Sequence, residues 1–381
     1  MECTMTENLG KEIPKLGFGF MRLPRKKEDQ SVIDMDQVKT MVDHFMNAGL
    51  YYFDTAYVYD NGKSEEAIKE ALVDRYPRDQ FRLATKLNAW MGCSDEETAK
   101  QQFYTSLERT GAGYFDFYLL HALQKGNYEK YDQYHLWDFV KEQKAKGLIK
   151  HWGFSFHADP VLLEELLTRH PDVDFIQLQI NYADWDNPSV ESRANYEVAR
   201  KHQVPVVIME PVKGGTLANP PEAVREIFHK QDPDASAASW AIRFAASLDG
   251  IITVLSGMST LEQLEDNISY MKDFKPLDDS EMKTVHQVQE VLQSIDAIPC
   301  TGCHYCTEGC PMHIDIPGIF TAMNLNMVFE RLEDAKREYN WRTGKGGKAS
   351  DCIACGQCEK ACPQQIKVIT RLKECAQILE N

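Results

Sequence analysis

The sequence predicts an α/β chain in two parts. A closed (β/α)8 barrel of the TIM type takes residues 1–275, and a mainly helical domain takes residues 299–381, with a linker helix over 276–298 between them. Three observations carry this. Short apolar segments, each followed by an amphipathic stretch, recur eight times from Leu16 to the region of Tyr270, at intervals suited to a strand plus a crossover helix. The strand signal stops after Phe274-Lys275-Pro276. Beyond it, eight of the chain's 11 cysteines fall in two matching runs.

In order, the candidate strands are Leu16–Phe20, Tyr51–Thr55, Phe81–Lys86, Phe115–Leu120, Lys150–Phe154, Asp174–Gln179, Pro205–Met209 and Ile251–Leu255. Between the first two, Val38, Met41, Val42, Phe45 and Met46 recur at helical spacing. Asp159-Pro160 reads as an N-cap followed by proline at the first helical position, and Ser94-x-x-Glu97 and Thr260-x-x-Gln263 read as capping boxes. An open doubly wound sheet would carry G-x-G-x-x-G after its first strand. Here Gly17-x-Gly19 is followed by Phe20-Met21-Arg22, without the third glycine, which favours the barrel. Past the barrel, a helix is expected from Asp279 to Ile298, a helical insert over Ile319–Tyr339, and a flexible turn at Gly344-Lys345-Gly346-Gly347.

The cysteine runs are Cys300-x2-Cys303-x2-Cys306-x3-Cys310-Pro311 and Cys352-x2-Cys355-x2-Cys358-x3-Cys362-Pro363. This is the spacing with which bacterial-type ferredoxins hold two [4Fe–4S] clusters, the fourth cysteine of each run ligating the other cluster. The expected ligands are therefore Cys300, Cys303, Cys306 and Cys362 for one cluster, and Cys352, Cys355, Cys358 and Cys310 for the other. Zinc sites also use C-x2-C pairs, but they have no use for a third cysteine at i+6 or for a repeated Cys-Pro ending. Because the insert between the runs is long, the tail reads as an α-helical ferredoxin-like domain. His304 and His313 flank the first run as candidates for tuning a cluster, and Cys3, Cys93 and Cys375 read as spare thiols.

Composition narrows the partners. The chain is 43% hydrophobic and 26% charged, the balance of a soluble globular protein, and no apolar run approaches the roughly 18 residues of a membrane span. A net charge of −16 argues against nucleic acid, and the short Arg25-Lys26-Lys27 run reads as a solvated loop. The stretch from Met1 to Gly17 has no signal-type apolar core, and thiolate-ligated clusters need a reducing compartment, so the expected location is cytoplasmic.

In a barrel of this kind, chemistry gathers at the C-terminal ends of the strands. Asp54 ends the second candidate strand and Tyr59 follows five residues later. Lys86 ends the third, and His121 follows the fourth. Together they form a coherent acid site: a phenol to give a proton, an ammonium and a carboxylate to tune it, and an imidazole to orient a carbonyl. Trp90 and Tyr57 are candidate pocket walls.

Over residues 9–270 the chain resembles the aldo-keto reductase family. The resemblance rests on Leu-Gly-Lys-Glu-Ile-Pro-Lys-Leu-Gly-Phe-Gly at 9–19, Phe-Asp-Thr-Ala-x-x-Tyr at 53–59, Ser-Glu-Glu at 64–66, Lys86 and His121. Over its whole length it is similar to the bacterial and archaeal subgroup that carries an iron–sulfur tail. The resemblance implies an Asp54–Tyr59–Lys86–His121 tetrad and hydride transfer between a nicotinamide cofactor, NADP or NAD, and a carbonyl or alcohol. Tyr59 is the implied general acid, with its pKa lowered by Lys86.

The implied nicotinamide positions diverge in part. Gly153-Phe154-Ser155-Phe156 keeps the family's serine at Ser155 and loses its carboxamide-binding asparagine, while Gln177 fits the family's glutamine. Met209 stands where a stacking tyrosine is usual. Lys213-Gly214-Gly215-Thr216 offers backbone amides to a pyrophosphate. Ser256 and Gly257 lead from the last strand, and Gly257 and Gln263 are neutral where NADPH-using members carry a lysine and an arginine. Asn267 matches an adenine-contacting position.

Three readings stand at this point. The first is the nicotinamide-dependent oxidoreductase, its clusters serving electron transfer or structure. The second dispenses with nicotinamide and feeds single electrons from a ferredoxin, flavodoxin or other redox partner to a barrel-bound substrate. The third is a slow-turnover redox sensor or regulatory subunit.

Overall fold

In the computed structural model the described residues are 9, 12–188, 190–295, 297–300, 302, 304–344, 346–362 and 364–381. Cys303, Cys3, Gly10, Lys11, Lys345 and Pro363, which enter the expectations above, lie outside them.

Eight strands close into one barrel in sequence order, every neighbouring pair parallel. They are β1 Leu16–Gly19, β2 Tyr52–Asp54, β3 Arg82–Leu87, β4 Phe115–Leu123, β5 Ile149–Phe156, β6 Phe175–Gln179, β7 Val206–Met209 and β8 Ile251–Ser256. All eight expected strands are present. They read as near-continuous apolar runs because strands of such a barrel are covered on both faces. Leu16, Phe18, Tyr52, Phe53, Leu83, Phe115, Ile176, Val206 and Ile252 are all buried.

Helices wrap the barrel where the sequence punctuates them. Met35–Asn47 buries Val38, Met41, Val42 and Phe45, the stripe seen in the sequence. Asp159 caps Pro160–Arg169, its carboxylate accepting from Leu162 N at 3.0 Å. Of the other two boxes, one moves by a residue and the other keeps its cap but not its reciprocal bond. Asp95, not Ser94, closes the box with Thr98 at the start of Glu96–Thr110, since Asp95 accepts from Thr98 N at 2.9 Å. Thr260 caps Leu261–Met271, but the Gln263 amide oxygen reaches past it to Ser259 N at 2.8 Å.

The chain separates into two compact units. One comprises the segments up to Asp186, Val190–Gly214 and Ala238–Asp278; the other comprises Gly215–Ala237 and Asp279–Asn381, with a short piece at Asn187. In the second unit the helix Asp279–Ser294 bonds to the helix Glu222–Gln231, through Gln231 Nε2 to Ser280 Oγ at 3.1 Å. The expected insert is two helices, Ile316–Phe329 and Leu332–Thr343, broken at Glu330, which adopts a left-handed conformation at φ 54°. With Val368–Leu379 they enclose a core of Ile319, Phe320, Met323, Tyr339, Leu372 and Cys375. Among the described residues no helix is long and apolar enough to cross a membrane.

Candidate active site and cysteine cavities

At the C-terminal end of the barrel, Lys86 is 1% exposed and its ammonium is fully engaged. It donates to Asp54 Oδ1 at 2.6 Å, to Thr55 O at 2.7 Å and to Tyr59 OH at 3.4 Å. An ammonium has three N–H donors, so its position is fixed from three sides. The His121 ring meets the Tyr59 ring edge-on at 5.6 Å, and Trp90 lies 6.2 Å from the His121 ring while donating to His121 O at 3.3 Å. Asp54, Tyr59, Lys86 and His121 thus converge on one place.

Local structure explains how they get there. The turn Tyr59–Gly62 takes Asp60, Asn61 and Gly62 through left-handed conformations, and Arg25 pairs with Asp60 at 3.0 Å. Gly62 sits at φ 92°, a backbone that favours glycine, and a Cβ there would also displace the tip of the Arg109 side chain. Arg109 also donates to Tyr57 O at 3.2 Å, stacks over the Tyr57 ring, and pairs with buried Glu65 at 3.3 Å. Tyr57 therefore packs against Arg109.

Two expected strand ends need correction. β3 runs one residue past Lys86 to Leu87, and β4 runs through His121 to Leu123. The β4–β5 register shifts between Leu120 and Leu123, with Ala122 at φ 56°. Such an irregularity re-aims the neighbouring side chain, which is how a residue inside a strand comes to face the mouth. Ser155 accepts from Ala122 N at 2.7 Å and so holds this kink in place.

Burial sets the electrostatics. Desolvation is the largest influence on Tyr59 and lifts its phenol above its ordinary pKa. Lys86 pulls it down as expected, but Asp54 and Glu210 push it up, and the net direction corrects the expected lowering. Burial, followed by Lys86 and His157, holds the His121 imidazole well below its usual range, hence neutral. For Lys86, burial opposes the charge, but Asp54 and Tyr59 outweigh it and keep the group protonated. The Asp54 carboxyl is raised, chiefly by burial, against the pull of Lys86 and then of nearby Gln177.

The nicotinamide candidates fall into two groups. Ser155 and Gln177 are register partners on β5 and β6, and both are buried; Met209, at the end of β7, pairs with Gln179 of β6. On the far side, Asn267 donates to Ser256 Oγ at 2.7 Å and accepts from Tyr270 OH at 2.5 Å. Gln263 is engaged at the helix cap described above, and Gly257 is exposed. Lys213 pairs with fully buried Asp184 at 2.5 Å. Sequence reasoning missed Arg22, Glu210 and Asp184. Their partners are distant in sequence, and no motif marks them.

In the tail, Cys310, Cys352, Cys355 and Cys358 line one small cavity, walled by Ile314, Ile353, Ile369 and Leu372. Cys300, Cys306 and Cys362 line a second, together with His304, Phe320 and Gln364. Each run therefore sends its fourth cysteine to the other run's cavity, and Ile316 lines both. Among the described residues no three His, Cys, Asp or Glu side chains form a group able to hold a metal ion; the thiols ring a space instead of converging on a point. His313 is absent from both linings, and its carbonyl accepts from Gly347 N at 3.1 Å.

Known proteins bear on both parts. Residues 299–366 match the 4Fe-4S dicluster domain. An uncharacterized oxidoreductase, YqkF, of Bacillus subtilis is 24% identical, over 74% of this chain and 95% of its own length. L-galactose dehydrogenase of Arabidopsis thaliana is 23% identical, over 77% and 95%. Among solved structures, aldo-keto reductase AKR11C1 from Bacillus halodurans superposes with a TM-score of 0.59 at 23% identity, covering 72% of this chain and 92% of that one. An aldo/keto reductase from Klebsiella pneumoniae, solved with NADP and acetate, gives 0.58 at 19% identity, covering 74% and 94%. Residues 15–290 match the Aldo/keto reductase family, and with most of its length so matched this chain, an oxidoreductase with a 4Fe–4S domain, belongs to that family.

Proposed function

We propose that the barrel reduces a small carbonyl compound, or oxidises the corresponding alcohol, with a nicotinamide cofactor and with Tyr59 as the proton donor. The observation that carries this is the fully engaged Lys86 ammonium, one of whose three contacts is the Tyr59 hydroxyl. A buried phenol above its usual pKa is fully protonated at neutral pH, as an acid must be. As the phenol gives up its proton, the phenolate forms beside a charge already in place, so stabilisation grows with the transfer. Neutral His121, within ring contact of Tyr59, donates an N–H to the carbonyl oxygen and orients it. Asp54 keeps Lys86 charged.

A hydroxyl, an amide and a thioether on consecutive strands suit a flat neutral ring bearing a carboxamide. Ser155, Gln177 and Met209 would hold the nicotinamide, and Lys213, Ser256, Gly257, Gln263 and Asn267 the remainder of the dinucleotide. When bound, that cofactor supplies hydride. The Klebsiella relative, solved with NADP, supports this choice. In the tail, Cys300, Cys303, Cys306 and Cys362 would hold one [4Fe–4S] cluster, and Cys352, Cys355, Cys358 and Cys310 the other. Bound clusters supply single-electron capacity. The domain limits we adopt are 1–275, 276–298 and 299–381, and a reducing, cytoplasmic setting suits the thiolates.

One observation favours a second reading. Phe156 and Met209 stand where the family's carboxamide-binding asparagine and stacking tyrosine are usual, and both Arg22 and Lys213 are already paired with carboxylates, which suits a barrel fed single electrons by a ferredoxin or flavodoxin. Anaerobically purified protein mixed rapidly with NADH or NADPH and a panel of aldehydes and ketones separates the two. The first reading predicts nucleotide oxidation, slowed about 100-fold or more in Tyr59→Phe. Failure of both nucleotides to bind or to be oxidised would leave the second.

A further inference from the structure

Loops after the seventh and eighth strands of such barrels commonly hold phosphate. Here Arg22, which follows β1, stitches those two loops together. Its guanidinium donates to Gly214 O at 2.6 Å and pairs with the Glu210 carboxylate at 3.6 Å, and its carbonyl accepts from Ser259 Oγ at 2.7 Å. Gly257, neutral where a gripping cation is expected, faces the same arginine: a Cβ built on it would lie 3.8 Å from Arg22 Cβ. The other cation of this region, Lys213, is engaged by Asp184.

Glu210 is held in place through its backbone. It sits at φ 56°, a left-handed conformation that non-glycine residues adopt only when their surroundings insist. Asn181 Nδ2 donates to Glu210 O at 3.1 Å and to the buried Asp184 carboxylate at 2.8 Å, which anchors the turn. The Glu210 side chain, by contrast, stays 34% exposed and reaches Arg22 across the mouth.

We propose that Glu210 is a built-in competitor for nucleotide phosphate: its carboxylate occupies the Arg22 guanidinium that a phosphate of the dinucleotide binds, and so sets nucleotide affinity. Guanidinium presents the same donor fork to carboxylate and to phosphate, so the two anions exclude each other at Arg22. A displaced carboxylate left beside the phosphate repels it further. This deepens the nicotinamide reading and rests on it.

The test is equilibrium titration of full-length, anaerobically purified protein with NADH and with NADPH, read by nucleotide fluorescence, in wild type, Glu210→Gln, Arg22→Gln and the double variant. Glu210→Gln should bind about fivefold more tightly, in line with a partly exposed ion pair, and the gain should shrink as salt rises. Arg22→Gln should bind more weakly, and the double variant should show no gain over it. A gain for both nucleotides assigns the pyrophosphate as the competitor, and a gain for NADPH alone assigns the 2′-phosphate; either supports the proposal. Wild-type binding with no gain in Glu210→Gln, or a gain that persists without Arg22, overturns the proposal and leaves the nicotinamide reading standing. No binding by any variant removes both.

Discussion

In the proposed reduction, the Tyr59 proton leaves beside an ammonium held on three sides. Lys86 is held by a carboxylate, a carbonyl and the phenol itself, so its charge costs little reorganisation when the phenolate forms. Two pH effects follow from burial. In the reductive direction kcat/KM should stay level from neutral pH to about 10 and fall only beyond it, because Tyr59 is raised above its ordinary value and must be protonated to act. A stability effect runs the other way. The folded chain keeps His121 neutral well below 6.5, whereas an unfolded chain protonates it near that value. The stabilisation is therefore complete above about 6.5 and drains away as pH falls toward the folded value; thermal melts of His121→Gln should show a flatter acid limb than wild type. At this scale the sequence was informative where residues recur in one motif or at a strand end, as with Asp54, Tyr59 and Lys86. The net direction of the Tyr59 shift was hidden, because desolvation depends on everything packed around the ring.

Strand identity was readable because covered parallel strands leave continuous apolar runs; the bends that aim side chains were not. Ala122 carries no turn signature, yet its left-handed backbone and the Ser155 hydroxyl turn His121 to the mouth. Glu330 is an ordinary helix former by composition, and only its place between two helices makes it a break. Gly153 shows the opposite case, a residue whose smallness is demanded by a neighbour. A Cβ there would lie 2.2 Å from the Phe175 carbonyl of β6. Gly153→Ala should therefore push β5 from β6 and cost about 2 kcal/mol or more, read as a lowered unfolding midpoint. Since Ser155 and Gln177 are partners across the same pair of strands, nucleotide affinity should fall with it.

Across the whole chain, the paired cysteine runs were the most legible feature, since their spacing alone gave the exchange of the fourth cysteine between sites. The two tail cavities have that crossed lining. Cys362→Ala should accordingly damage the site of Cys300 and Cys306, while Cys310→Ala damages the site of Cys352, Cys355 and Cys358. Iron and sulfide analysis with spectroscopy of each variant should show one cluster lost and the other kept; loss confined to the mutated run's own first three cysteines would argue for uncrossed sites. No sequence signature links the proposed hydride chemistry of the barrel to the proposed clusters of the tail, since hydride moves electrons in pairs and a cluster moves them singly. The most direct test of the central claim follows the hydrogen. With nucleotide deuterated at C4 of the nicotinamide, wild-type protein should deliver deuterium to the carbinol carbon of the product, and Tyr59→Phe should lose most of that transfer. Reduced product free of nucleotide deuterium, formed equally well from a reduced ferredoxin alone, would contradict it.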